Sequence, residues 1–186
     1  MKALKPVLTI VVVLLICIIA VYGYYGGFSP VNISTSVQGG ETVIYKDVTG
    51  DYSQTRVISD EIYRTLLNDY KIETTRGFGV FYDNPQQVEK SKLRSKVGCI
   101  LDSETDSAGL SKISAQFRTM ILPEGNYITT ELPMRGMLSV IIGIFKVYPK
   151  INNYLIENNI QDDSPITEIY DIVNSKIIYR KQIMVK

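Results

Sequence analysis

From Pro6 to Tyr25 the chain carries no charged residue, and this run constrains how everything after it can fold. Its apolar stretch, Val7 to Tyr25 (VLTIVVVLLICIIAVYGYY), is 19 residues long. As a helix that is enough to cross roughly 30 Å of hydrocarbon. Tyr22, Tyr24 and Tyr25 stand at its far edge, where amphipathic rings anchor a span in the headgroup layer, and Gly26-Gly27 lets the chain leave it. We therefore read residues 1–5 as a basic flank, 6–25 as a transmembrane signal anchor in contact with the lipid bilayer, and 26–30 as a linker. The competing reading is a cleaved signal peptide with Val21 and Gly23 before the cut; the full-span length favours the uncleaved anchor. Of the 20 basic residues, Lys2 and Lys5 precede the run, leaving 18 against 19 acidic residues beyond it, the first being Glu41. The positive-inside rule then predicts a cytoplasmic N-terminus and a domain outside the cytoplasm.

Composition narrows the chemistry. The chain has no His, which excludes Ser-His-Asp and Cys-His catalysis and any His-ligated zinc site. Two cysteines cannot build a disulfide framework or a four-thiolate metal site. A pI near 7.6 argues against charge-driven nucleic-acid binding, so no nucleic-acid partner, metal or cofactor is expected. Binding, structural roles, and carboxylate or tyrosine chemistry remain.

Beyond residue 30 the elements recur. Val31–Val37 alternates and is closed by Gly39-Gly40; Glu41–Val48 is a β-branched strand; Val57, Ile58, Ile62, Leu66 and Leu67 recur at helical spacing through Tyr70. Gly77–Tyr82 is a strand stopped by Asp83-Asn84-Pro85, a turn signal. Gln86–Lys96 reads as a polar loop whose Lys90, Lys92, Arg94 and Lys96 form a solvated basic run, and Val97–Leu101 as the next strand. Asp102–Ala108 is a polar turn whose acidic residues resemble a calcium loop only weakly. Leu110–Leu122 is a short helix or an irregular edge. The order repeats with a strand at Tyr127–Leu132 and a helix at Gly136–Glu157. Leu138, Ile141, Ile142, Phe145, Tyr148, Ile151 and Leu155 form that helix's expected buried side, with a kink or break at Pro149. Strands at Ile166–Asp171 and Ile177–Val185 complete the second copy. Offset by 84, Asn68 and Tyr70 meet Asn152 and Tyr154; offset by 88, Phe81-Tyr82-Asp83 meets Ile169-Tyr170-Asp171. The expectation is an α+β domain over residues 31–186. In it, duplicated strand-helix-strand-strand units (about 41–101 and 126–186) join into one antiparallel sheet with two helices on one face.

This order, with Tyr45–Tyr52 (YKDVTGDY), Phe81–Pro85, Leu93–Gly98 and Glu168-Ile169-Tyr170, resembles the GyrI-like, or AraC-type effector-binding, domain of bacterial regulators. Tyr82–Pro85, Val97-Gly98-x-Ile100-Leu101 and Glu168–Tyr170 bring it closer to a membrane-anchored subgroup. The Tyr-Gly-Gly-Phe exit looks more like bacterial members, which would place the chain in an inner membrane. The resemblance implies a cleft between the repeats in which Glu168 receives a small apolar or cationic ligand, with Tyr170, Tyr45, Phe81, Tyr82 and Tyr148 as aromatic wall. A carboxylate in an aromatic slot offsets the cost of desolvating a cation, and ring faces add roughly 0.5–2 kcal/mol each. The same aromatics could equally fill a helix-sheet core. We expect a membrane-anchored small-molecule binder with no DNA-binding module, and no enzyme. The alternatives are a tethered adaptor for a protein partner or a hydrolase using Glu168 with Tyr170 or Tyr45. Tyr170–Val173 also spells an aromatic-x-x-aliphatic autophagy-type motif, expected to be inaccessible beside a core strand.

Overall fold

The computed structural model describes residues 4–85, 87–101, 110, 112–160 and 164–183. The first helix, α1 (Leu4–Tyr24), precedes eight strands. Strands β1 (Ser34–Gln38) and β2 (Thr42–Thr49) lead to α2 (Thr55–Asp69), then β3 (Arg76–Phe81) and β4 (Arg94–Ile100). After β5 (Arg118–Ile121) the order repeats as β6 (Gly125–Pro133), α3 (Met137–Glu157), β7 (Ile166–Asp171) and β8 (Lys176–Gln182). One antiparallel sheet runs β1-β6-β8-β7-β3-β4-β2-β5. The order reads the same from both edges: β3 and β7 meet at the centre, β4 matches β8, and β2 matches β6. The outermost strands are exchanged, because β1 pairs with β6 of the second half and β5 with β2 of the first.

Both α2 and α3 pack on one face, as the alternation of strand side chains requires. Ile62 and Leu66 of α2 are fully buried against Ile44 and Cys99, each apolar side chain contributing about 1.5–3 kcal/mol. Burial also pushes the Cys99 thiol above its ordinary range, the environment of an inert cysteine. Val147, Ile151 and Leu155 of α3 cover Ile128, Leu132, Ile177 and Tyr179. Helix α3 ends where Asn159 turns to φ 53° and Ile160 N donates to Leu155 O at 2.9 Å, a Schellman stop. Among the described residues the opposite face carries no helix; Val43, Phe78, Ile100 and Ile169 are buried there beneath Leu122 and Met120.

Several expectations need correction. Strand β4 starts at Arg94, not Val97: Ser95 and Val97 face the helices while Arg94 and Lys96 face away, so the basic run is partly a strand of period two. Its charges are also paired, Lys90 with Asp51 and Lys92 with Glu89, both at 2.9 Å. Helix α3 passes through Pro149 unbroken. Its buried face is Ser139, Gly143, Val147, Ile151 and Leu155, while Leu138, Ile141 and Phe145 are exposed. The small residues let the helix sit close to β8: a β-carbon at Gly143 would overlap the Tyr179 hydroxyl. The 88-residue offset also fails, since it matches Phe81, on the helix face, with Ile169 on the other. Ile172 and Val173 are 61% and 70% exposed on the β7–β8 turn, so the aliphatic half of the autophagy-type motif is open. The Asp102–Ala108 turn and its acidic residues lie outside the described residues.

The turn at Asp83 is an ion-paired clasp. Arg94 donates from Nε and Nη2 to the Asp83 carboxylate at 3.0 and 2.8 Å, and its backbone N adds a third bond at 2.7 Å. The guanidinium bonds hold the Asp83 carboxyl below the usual aspartate range. Asp83→Ala should lower stability by about 1–2 kcal/mol in urea unfolding at neutral pH. Because the folded-state pKa is depressed, that difference should be present above the ordinary value of 3.8 and fade as pH falls through the lower one.

Candidate functional site

At the centre of the helix face, the β3–β7 seam brings a side chain and a gap together. Glu168 pairs with Gly79, and Tyr170 with Gly77. These glycines leave Glu168 and Tyr170 without a side chain opposite them. The gap over Gly79 is taken by the Phe81 ring, which a β-carbon there would meet at 2.7 Å. Across the other seam, Glu168 pairs with Tyr179 of β8. Tyr148 comes down from α3.

These groups enclose a carboxylate. Glu168 is 1% exposed. Tyr148 Oη donates to Oε1 at 2.9 Å and Tyr170 Oη to Oε2 at 2.6 Å. Burial raises the Glu168 carboxyl above the usual glutamate range, and the hydroxyls of Tyr170 and then Tyr148 pull it part of the way back. The tyrosines are shifted in the same direction: burial first, then the neighbouring Glu168 charge, raises Tyr148 and Tyr170 well above the phenol range. They are hydrogen-bond donors at any physiological pH. Tyr179 is fully buried, and its hydroxyl has no hydrogen-bond partner among the described residues. No Lys or Arg pairs with Glu168 among the described residues. The acid is surrounded by neutral rings and hydroxyls, a setting with no internal counter-cation.

Four of the sequence-predicted residues, Glu168, Tyr170, Tyr148 and Phe81, therefore meet. Tyr45 and Tyr82 do not. Tyr45 pairs with Gly98 on the helix-free face, where the Lys96 ammonium lies 5.1 Å from its ring centre. Tyr82 lines a separate cavity of about 320 Å³ on that face with Val80, Lys96, Thr167 and Arg180. The physical reason is parity: Phe81 and Tyr82 are adjacent in an extended chain and point to opposite sides. Tyr179 was missed, because only the β7–β8 register reveals it as Glu168's neighbour. Tyr52 joins the margin, stacking edge-on against Phe81 at 4.8 Å between centroids.

An α+β sheet of two pseudo-equivalent halves with both helices on one face is the fold of a class of small-molecule binding domains. The chain belongs to the family of the GyrI-like small molecule binding domain, whose profile matches residues 40–178. It is 27% identical over 155 residues to human testis-expressed protein 264, covering 79% of this chain and 47% of that protein, so the chain spans about half the relative's length. The fold is similar to the EcmrR C-terminal domain, with a TM-score of 0.57 at 10% identity, covering 84% of this chain and 99% of that one. It is also similar to SAV2435 bound to tetraphenylphosphonium, with a TM-score of 0.51 at 13% identity, covering 83% and 94%.

Proposed function

We propose that this protein is a membrane-anchored binder of lipophilic cations, with Glu168 as the charge that receives them and Tyr148, Tyr170, Tyr179 and Phe81 as the aromatic wall. The observation that carries this reading is the buried carboxyl without a basic partner. Holding a carboxylate there is costly unless a cation arrives to pair with it. A hydrophobic cation satisfies both the charge and the apolar surroundings, and ring faces add cation–π attraction. The ligand in the SAV2435 structure is of this chemical kind. Helix α1, with Pro6–Tyr24 at a mean hydropathy of 2.8 and none of it buried, is long and apolar enough to be the anchor. The lysines ahead of it favour a cytoplasmic N-terminus and a domain on the far side of the membrane.

The test is calorimetric titration of the full chain in nanodiscs with tetraphenylphosphonium and, separately, with neutral triphenylphosphine oxide. Saturable binding of the cation above the empty-nanodisc background, with none of the neutral compound, is expected. Equal uptake of both would mean the apolar walls act without the acid. Absence of either would favour a tethered adaptor.

A further inference from the structure

The junction between α1 and the domain is built, not loose. A helix ends with carbonyls that lack intrahelical donors. Here side chains of the domain supply them: Arg135 Nη1 donates to Tyr24 O at 3.0 Å and Ser139 Oγ to Tyr25 O at 3.1 Å. The Lys146 ammonium donates to Gly27 O and Ser29 O, both at 2.6 Å, and to Gly26 O at 3.3 Å. The Arg135 guanidinium also lies 4.8 Å from the Tyr24 ring centre. Cations at the negative end of the α1 dipole are favourable in themselves. The result places the start of α3 alongside the last turns of α1. Leu138 and Ile142 of α3 face Leu14, Ile18 and Val21 of α1 across an apolar groove of about 370 Å³. Leu14 lies ten residues before Tyr24, or roughly 15 Å down the helix. Outside the groove, Met137, Ile141 and Phe145 expose 54%, 40% and 67% of their surface on the same half of α3, and Phe28 exposes 68% beside the junction.

We infer that the N-terminal half of α3 is immersed in the same bilayer leaflet as the C-terminal half of α1, with lipid acyl chains filling the groove and covering Ile141 and Phe145. The occupant follows from continuity: if the α1 surface at Leu14–Val21 contacts hydrocarbon, the α3 residues facing it at the same depth do too. This inference rests on the reading of α1 as an anchor. It assigns the exposed apolar face of α3, which the core does not use, and it brings the site close to lipid. Phe145 and Tyr148 are three residues apart, roughly 4.5 Å along the helix. A lipophilic cation already dissolved in the leaflet would then reach Glu168 without passing through bulk water.

The experiment uses the full chain with both native cysteines removed (Cys17→Ala, Cys99→Ala), reconstituted in phosphatidylcholine–phosphatidylglycerol vesicles. Single cysteines carrying an environment-sensitive nitrobenzoxadiazole label are placed at Leu14, Ile141, Phe145 and Asn153, all outside the buried core. Doxyl-labelled phosphatidylcholine is the quencher. Labels at Ile141 and Phe145 should be quenched about threefold or more relative to Asn153, as burial ~5–10 Å below the headgroups requires, and should approach the quenching at Leu14. Quenching at Leu14 with Ile141 and Phe145 indistinguishable from Asn153 would overturn the inference and leave the anchor standing. No quenching at Leu14 would remove the anchor and the inference together.

Discussion

Glu168→Gln is expected to lose roughly ten- to a hundredfold in affinity for tetraphenylphosphonium while folding at least as stably as the parent. The affinity loss follows from charge alone, since Gln keeps the size of the side chain. A unit charge pair 5–6 Å apart at an effective dielectric near 20 is worth about 3 kcal/mol, part of it consumed by desolvation, and each 1.4 kcal/mol is tenfold. The stability result has the opposite sign, because the folded protein holds the Glu168 proton more tightly than the unfolded chain does. Stability is therefore lost as pH rises from the ordinary glutamate value of 4.5 through the raised folded-state value. Above that window the parent bears the full cost of a buried carboxylate and the Gln variant does not. The advantage of Gln should shrink as pH falls toward 4.5. Urea unfolding at a series of pH values, beside calorimetric titrations, checks both halves. If the variant binds the cation as tightly as the parent, Glu168 is not its partner. Asp83 supplies an internal contrast, since its clasp with Arg94 weakens rather than strengthens on acidification.

The second large effect lies away from the site. Gly98→Val should cost more than about 3 kcal/mol, a large share of the 5–15 kcal/mol that holds a typical domain folded. A β-carbon at position 98 would overlap the Ile44 carbonyl oxygen, a backbone atom that cannot move aside as the end of a flexible side chain can. Gly98 is opposite Tyr45 and Phe78 in the middle of the β2–β4–β3 ladder, so a displacement there propagates to both neighbours. Gly77→Ala is the control. Its β-carbon would find its nearest neighbours at 3.7 Å, ordinary contact, and replacing a strand glycine by alanine restricts the unfolded chain. It should be neutral or stabilising by up to about 1 kcal/mol. Equal destabilisation by the two changes, read from urea midpoints, would refute the steric account.

How far the sequence could be read depends on which physical signal each feature leaves. Helix α1 was legible because a full-length uncharged run has few alternatives. Strands β2 and β3 and helix α2 were legible because their alternation or helical spacing is bounded by Gly or Asp-Asn-Pro signals, and β7 because its β-branched run lies between Ser164-Pro165 and Asn174-Ser175. The buried face of α3 was not: it begins with Ser139, bonded to Tyr25 O, and Gly143, close against Tyr179, which carry no hydrophobic signature, while the apolar Ile141 and Phe145 are exposed. At the site, Glu168 and Tyr170 share a face by their spacing of two, and that much was available from the strand itself. The separation of Phe81 from Tyr82 was equally available, since neighbours in a strand diverge. The placement of Tyr45 and the approach of Tyr179 were not, because both depend on strand order and register, which arise only when distant segments pair.

The exchanged edge strands carry a consequence for how the molecule is made. Among the described residues strand β1 pairs only with β6, with Ser34 opposite Thr129, 95 positions later. At synthesis rates of 5–20 residues per second, β1 waits roughly 5–20 s with an open edge. The β3-β4-β2-β5 part can pair within that interval, since β5 precedes β6, whereas the β1 edge cannot, so that edge is completed late. Until then α1 has its intrahelical hydrogen bonds but not the donors for its last carbonyls, since Arg135 and Ser139 follow β6 in the chain.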